Sequence, residues 1–536
     1  MRVYLDWTSM VEALLVSPVD PIAVDPIVLQ AVVVDYLSWL AEKLSGAASV
    51  VGDNFLFLLI GVVAGMIIGT IPGMGGTVVL TILLPFTLAL QQYEAFVLLS
   101  GAVGATTFSG SLTAILINTP GSSSNAATLI DGYPMTQKGQ SETAITVSAI
   151  SSATGAVLAA SVFILAIPLM IEVVLLFGPS EIFWIVMFAI VIIPFVVADR
   201  PLFGILTGGL GALVAFVGVS PQTGEPRFTF GILTLNDGIE LIAMLIGFFA
   251  IAEIVRIASL GRNTIVDFDT VELAGSKMEG LRIVLRNKWL WLRCSLIGLL
   301  IGAIPGAGGS AAGFVAYAHA IQSSPDKETF GKGNPLGILA PESANDAKDG
   351  GQLFPTLGLG IPGSGTMAVF LGAMLMHGVF PGPTVLTDNT ELVLIIALSI
   401  LCSNILTSVI GLAVANKATY VLQVPVPLLL TGITVLSLTS VLIVRNAAVD
   451  MLVTVVFAVL GIILVYLEIN RIPFLIAFVL AGILERQYHL AVQFAGGDSM
   501  GAFFGAPLDK LLIGIFVVSL VLLIIPRQKL LQRFVG

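Results

Sequence analysis

Charge is what this sequence has least of: only 10% of its 536 residues are Asp, Glu, Lys or Arg, against roughly 25% in an ordinary soluble domain. A water-soluble globule of this composition could not cover its surface, so that class is excluded. Cys294 and Cys402 are the only cysteines and stand far apart, which rules against a disulfide framework or a cysteine metal site. His319, His377 and His489 are equally isolated, with no His-Glu-x-x-His spacing, so no metal centre is expected. The chain also lacks a Gly-x-x-x-x-Gly-Lys-[Ser/Thr] phosphate loop, a Gly-x-Ser-x-Gly nucleophile turn and a paired-aspartate membrane-protease motif. Those absences argue against a nucleotide-driven pump in this chain and against an enzyme. No basic cluster of the kind that neutralises phosphates is present, so nucleic acid is not an expected partner.

What is present is apolar: 57% of the residues are hydrophobic. Runs of about 20 residues, the length that crosses a hydrocarbon core of roughly 30 Å, recur from Phe55 nearly to the C-terminus. Clear spanning candidates are 145–177, 179–198, 239–257, 391–414, 448–468 and 508–525. Transmembrane strands would instead read as segments of roughly 10 alternating residues. The expected fold is all-α, a polytopic bundle of about 12 spans embedded in a lipid bilayer.

The longest polar interval, from Arg256 to Arg293, carries several basic residues and is expected to face the cytoplasm, as is the tail holding Arg527, Lys529 and Arg533. Five units follow: an N-terminal segment 1–54, interfacial or one poor span; a first membrane repeat 55–257; a polar loop 258–290; a second repeat 291–526; and the basic tail 527–536. The N-terminus does not read as a cleaved signal, because Asp6 and Glu12 stand where apolar residues are needed.

The two repeats are visible in duplicated motifs. Gly69, Pro72, Gly73, Gly75 and Gly76 match Gly302, Pro305, Gly306, Gly308 and Gly309 at identical spacing, and Pro120-Gly121-Ser122 matches Pro362-Gly363-Ser364 further on. Repeated units with interrupted helices are the pattern of secondary transporters, whose sites form at the repeat interface near the bilayer midplane. We read the repeats as inverted.

Proline removes an amide hydrogen and glycine leaves helical geometry readily, so each Pro-Gly should break its helix. Broken backbone at membrane depth survives only where protein buries it or water reaches it. A helix starting after the break offers free amides and the positive end of its dipole to a carboxylate without any formal positive charge. That matters in a chain of net charge −10, where an anion must be held by local groups. The expected substrate-binding residues are Gly73, Gly75, Gly76, Thr119, Pro120, Gly121, Ser122, Ser123, Asn125, Pro305, Gly306, Gly308, Gly309, Pro362, Gly363, Ser364 and Thr366, with Ser124 adding a hydroxyl. The alternative is that these hydroxyls and amides only cap helices. The pairs Gly61/Gly65 and Gly298/Gly302 read as close helix packing.

The polar segment Ala340 to Pro355 precedes the last break. Pro341 and Glu342 read as a helix start, and Glu342, Asn345, Asp346 and Asp349 offer oxygen ligands for a coupling cation or a site for a proton. Lys348 is placed to meet a substrate carboxylate. The competing reading is a solvated loop whose charges pair among themselves.

These motifs together, with Asn118 to Met135, Ala340 to Ser364, His377 to Pro383 and Arg227 to Gly231 followed by Asp237 to Glu240, resemble the large membrane subunit of the tripartite tricarboxylate transporters over roughly residues 58–520. The resemblance implies a permease of the plasma (inner) membrane working with a small four-helix membrane subunit and an extracytoplasmic solute-binding protein. It also implies import of citrate or another di- or tricarboxylate driven by a Na+ or H+ gradient, with no cofactor beyond a coupling Na+. Two departures fall beside the expected site: Asp346, Lys348 and Asp349 follow Asn345 where the family usually continues Asn-Asn, and Thr107-Phe108-Ser109-Gly110 stands where it usually has Tyr-Gly-Gly. The rival reading is a channel for small organic anions, which needs neither coupling ion nor binding protein.

Overall fold

In the computed structural model of the chain the described residues are 26–197, 200–259, 274–306, 308–422, 426–445 and 447–524. The basic tail, most of the central polar loop and the first half of the N-terminal segment lie outside them.

Pro26–Asp53 (α1) and Phe55–Gly69 (α2) form a pair bent by 69° over Tyr36 to Gly69. Then come Gly76–Thr87 (α3), Gln92–Ile117 (α4), Ala126–Gln137 (α5), Ser141–Leu175 (α6), Pro179–Val197 (α7) and Pro201–Ala215 (α8). A two-stranded hairpin pairs Gly218 with Arg227 and Val219 with Pro226. The span Leu241–Ser259 (α9) follows, containing a π-helical stretch over Ile246–Ile251. After it come Lys277–Arg286 (α10), Lys288–Gly302 (α11), Gly308–Ser323 (α12), Leu336–Leu353 (α13), Gly365–Met376 (α14), Pro383–Asp388 (α15) and Thr390–Leu422 (α16). Val426–Arg445 (α17), Ala448–Tyr466 (α18), Ile472–Phe494 (α19), Ser499–Phe504 (α20) and Pro507–Ile524 (α21) complete the all-α membrane architecture.

Six helices among the described residues are long and apolar enough to cross a membrane, seven if the bent α1–α2 pair is one span. They include α4 and α19, which the hydrophobic runs alone did not single out. These fall short of the expected 12 crossings; five further apolar helices, Gly76–Thr87, Pro179–Pro194, Pro201–Ala215, Gly365–Met376 and Leu430–Leu442, are shorter.

Small residues decide how the centre packs. Helix α2 lies on α4 so closely that a Cβ at Gly65 would sit 2.8 Å from the Ala102 carbonyl oxygen, and α11 lies on α13 so that a Cβ at Gly302 would sit 2.8 Å from Lys348 Cα. In lipid, where tails are as apolar as side chains, backbone approach of this kind is what holds helices together. Helix α13 is further wrapped by α6 and α12, and α4 by α16; α19 packs on α7 and α8.

One element differs from its sequence reading. Helix α13 begins at Leu336, so Pro341 lies inside it rather than at its start. Every residue from Gly337 to Leu353 is buried, which removes the solvated-loop reading: its charges are enclosed by other helices.

Candidate functional site

The helix breaks at all four Pro-Gly motifs. Gly73 and Gly306 take left-handed backbone, at φ 87° and 74°, where a side chain is strained. Asn118 and Gly360 turn left-handed just before the other two breaks, at φ 56° and 71°. Ser122 and Ser364 are then extended, and the Ser364 hydroxyl caps α14 by accepting from the Met367 amide at 3.3 Å.

The breaks meet. The Gly73 amide donates to the Gly121 carbonyl at 3.0 Å, and the Gly121 amide to the Gly110 carbonyl of α4 at 3.2 Å. A Cβ at Gly75 would lie 2.9 Å from Ser122 Cβ; one at Gly76, the first residue of α3, would lie 2.7 Å from Thr366 Oγ1. Gly309, at the start of α12, faces Ser124 and Asn345 in the same way, with a Cβ 2.7 Å from Ser124 Cβ and 2.9 Å from Asn345 Oδ1. A Cβ at Gly363 would lie 3.2 Å from the Gly302 carbonyl oxygen, and Ser364 donates to Gln352 Oε1 at 2.8 Å. Thr119 only bonds back to its own helix end, Ser123 is exposed, and a Cβ at Gly308 would meet nothing. Pro120 and Pro305 are half-buried and Pro362 is buried. The converging start of α12 leaves its first-turn amides without intrahelical partners beside Ser124 and Asn345.

Behind these breaks lies the polar side of α13. Glu342 is fully buried, and hydroxyls from three helices donate to it: Ser111 of α4 at 2.7 Å, Thr128 of α5 at very short range, and Ser148 and Ser152 of α6 at 2.6 and 3.1 Å. Its two oxygens are thereby saturated. Asp349 pairs with Lys348 at 2.6 Å and accepts from Thr107 at 3.3 Å. Asn345 and Asp346, 0% and 1% exposed, are different: neither amide atom of Asn345 has a formed hydrogen bond, and Asp346 has none of its own, the Ser152 hydroxyl close to it being donated to Glu342. Asn125 links the layers, its amide donating to the Thr107 carbonyl and Ser111 Oγ while Ser122 donates to its Oδ1 at 2.7 Å.

Four features escaped sequence reading. The serines of α6 and Thr128 surround Glu342; the isolated hydroxyls of an otherwise apolar α6 were the available signal. Arg256 of α9 donates to the Pro72 carbonyl at 3.3 Å while pairing with Glu253, which also holds Arg471 at 3.1 Å. Asp131 accepts from Tyr317 and from the Gly333 and Asn334 amides, each at 2.8 Å. Glu485 of α19 clamps Arg227 of the hairpin at 2.8 and 3.1 Å.

Residues 55–476 match the model of the tripartite tricarboxylate transporter TctA family. An uncharacterized 52.8 kDa protein of the TAR-I ttuC' 3' region in Agrobacterium vitis is 30% identical over 88% of this chain and 93% of its own length. An uncharacterized protein of the TAR-II ttuC' 3' region in the same organism is 31% identical over 44% of this chain and 99% of its own. No solved structure matches the chain.

Proposed function

The chain belongs to the tripartite tricarboxylate transporter TctA family, and from that premise we propose that it is a cation-coupled carrier. In this reading it imports di- or tricarboxylates of the citrate type across the plasma (inner) membrane, with a small four-helix subunit and an extracytoplasmic solute-binding protein that delivers the substrate. The observation that carries it is the meeting of the broken helices beside α13, where Asn345 and Asp346 are buried without hydrogen bonds.

Charge explains why the carrier must be coupled. Three carboxylates, Glu342, Asp346 and Asp349, face one ammonium, Lys348, on a single buried helix, leaving two negative charges uncompensated when all are ionised. At an effective dielectric of about 20, each unpaired charge about 5 Å from a substrate carboxylate opposes it by roughly 3 kcal/mol, more than a hundredfold in affinity. A Na+ or proton on Asp346 removes one of the two charges and with it about half of that opposition. The substrate carboxylates then sit at the α12 and α3 starts among Ser122, Ser124 and Thr366, with the cation loading first.

Alternation follows from duplication in an inverted sense, and the packing supports it. Gly76 abuts Thr106 of its own half and Thr366 of the other; Gly309 abuts Lys348 of its own half and Ser124 of the other. Aligned on the Pro-Gly-Ser motifs, Ser124 corresponds to Thr366 and Thr106 to Lys348. Gly121 reaches Gly69 and Gly110, and Gly363 reaches their counterparts Gly302 and Gln352. A two-fold exchange of this kind is what rocking one bundle on another requires.

Counterflow in proteoliposomes containing both membrane subunits and the binding protein tests the proposal. Accelerated exchange of labelled citrate that depends on a Na+ or pH gradient is the expected result. Large conductance without counterflow would establish the channel reading instead.

A further inference from the structure

Helix α11 turns one open face outward along its length. Trp289, Arg293, Leu296 and Leu300 are exposed at i, i+4, i+7 and i+11, the stripe of a helix with one side toward lipid. Trp289 and Leu300 are 69% and 67% exposed. Arg293 interrupts this apolar stripe one turn, about 6 Å, inside Trp289, and among the described residues its guanidinium makes no ion pair. An arginine facing acyl chains is costly unless its long stem carries the charge back to the headgroup layer.

Helix α10, which ends one residue before α11 begins, shows the same mixture. Met278, Arg282 and Leu285 are exposed at i, i+4 and i+7, and Arg286 stands one turn beyond Arg282. The other side packs: Gly280 and Val284 are buried, and a Cβ at Gly280 would lie 2.7 Å from Thr146 Cβ of α6. Thr143 of α6 also donates to the Ser276 carbonyl at 3.2 Å. With 35 residues, α6 is about 52 Å long, well beyond a hydrocarbon core of roughly 30 Å, so its polar first turns, where α10 lies, belong to the headgroup layer. Lys277 is taken by Glu142 at 3.7 Å. Arg282, Arg286 and Lys288, like Arg293, make no ion pair among the described residues, and four such cations against the nearby Glu279 leave three positive charges. Asp267, Asp269 and Glu272 precede them in the sequence, outside the described residues.

We infer that α10 and the start of α11 form a docking surface for anionic phospholipid headgroups, in the leaflet where α11 begins. The occupant follows from what alternates along the two stripes. Guanidinium groups suit phosphate oxygens, while Met278, Leu285 and Trp289 between them suit the headgroup and acyl boundary, where amphipathic basic helices lie. A soluble anion would leave that apolar stripe in water, and a soluble acidic protein could not follow it down to Leu296 and Leu300. Because the headgroup layer is continuous, the four cations need not converge on one atom; each meets the lipid beside it. Helix α11 leads on to the Pro305 break and packs on α13 through Gly298 and Gly302, so lipid held at its start fixes the depth of that arm. Only this last role rests on the carrier reading; the lipid binding does not.

The test reconstitutes the full chain in phosphatidylcholine vesicles containing rising fractions of brominated phosphatidylglycerol or of brominated phosphatidylcholine, and follows quenching of tryptophan fluorescence. The difference between wild type and Trp289→Phe isolates the Trp289 signal. Its quenching is expected to favour phosphatidylglycerol over phosphatidylcholine by about tenfold or more, and the preference should fall about fivefold for each charge removed in Arg282→Gln, Arg286→Gln or Arg293→Gln, the worth of one basic residue at an anionic surface. Lys510→Gln, an exposed lysine on α21, should leave it unchanged. All four positions are on the surface, and any one arginine variant that folds decides. Equal quenching by the two lipids, or a preference untouched in the arginine variants, would overturn the inference even if counterflow succeeds. So would a Trp289 quenched by neither lipid, which would place a protein partner there, or a preference abolished by inorganic phosphate, which would make the ligand a soluble anion. Failed counterflow with the lipid preference intact would overturn the carrier reading and leave this surface standing.

Discussion

Replacing Gly121 by alanine separates a structural tie from a merely permissive glycine. The new Cβ would fall 2.5 Å from both Gly110 Cα and the Gly69 carbonyl oxygen, backbone atoms on two different helices. Carbon contacts settle at about 3.5–4.0 Å, so the second break must retreat by about 1 Å. That displacement stretches the two bonds Gly121 makes, from its amide to Gly110 at 3.2 Å and from Gly73 to its carbonyl at 3.0 Å, past hydrogen-bonding range. Two lost bonds at about 0.5–1.5 kcal/mol each, with overpacking of about 1–3 kcal/mol, sum to roughly 2–6 kcal/mol. The counterpart Gly363→Ala meets the Gln352 side chain, with Cγ at 2.7 Å, and only one backbone atom, the Gly302 carbonyl oxygen at 3.2 Å, so it should cost about 1–3 kcal/mol, the overpacking alone. Thermal unfolding of detergent-purified protein, read beside uptake in proteoliposomes, checks both. A Gly121→Ala variant that melts and transports like wild type would refute the contact between the first two breaks.

Three other perturbations read different parts of the site. Asp346→Asn removes a buried charge that has no hydrogen bond, so in cation-free buffer it should melt at or above the wild-type temperature while losing gradient-driven uptake; a lower midpoint would mean the carboxylate is a structural acceptor. Lys348→Met strands the Asp349 carboxylate, 5% exposed, and should destabilise by about 3–5 kcal/mol, whereas Lys348→Met with Asp349→Leu should regain most stability without uptake; equal losses in both variants would contradict the pairing. Glu485→Ala frees Arg227 and Ser220 of the hairpin, and, with Arg227 partly open to water, should cost about 1–2 kcal/mol and speed limited proteolysis between residues 218 and 240; unchanged cleavage would show that the clamp does not hold this loop.

The breaks were legible because their cause is local: Pro-Gly disrupts a helix whatever surrounds it, and Gly73 and Gly306 needed left-handed backbone that no distant partner imposes. The close packing at Gly65 and Gly298 was legible for a similar reason, since small residues one turn apart are the only surface on which helices approach so far. What escaped reading depends on contacts between distant positions. Glu342 looked like a ligand in a helix start, but Ser148 and Ser152, remote in sequence, occupy its oxygens once α6 lies against α13. Pro341 suggested a boundary because proline favours the first turn, yet the helix starts at Leu336, one turn earlier, where Gly337 lets Asp131 approach so closely that a Cβ there would lie 2.0 Å from its Oδ2 and where α13 packs fully buried.

The charge of the chain acquires a different sense from this geometry. A net −10 suggested that an anion must be held in spite of the protein's field by helix ends and neutral donors. At the site itself the opposition is much nearer, in the uncompensated carboxylates of α13. In the proposed carrier, a substrate site without them would bind citrate more tightly in the absence of cations, and would then release it no more readily inside than outside. In the proposed carrier, Asn345 beside Gly309 and Asp346 next to it on α13 make affinity conditional on a cation arriving first, so that the gradient that loads the cation also loads the anion. The same coupling free energy acts in reverse at the inner face: departure of the cation restores the repulsion of roughly 3 kcal/mol per charge and expels the substrate. In that proposed carrier, the carboxylates that make the chain look hostile to an anion are therefore the part that ties its movement to the gradient.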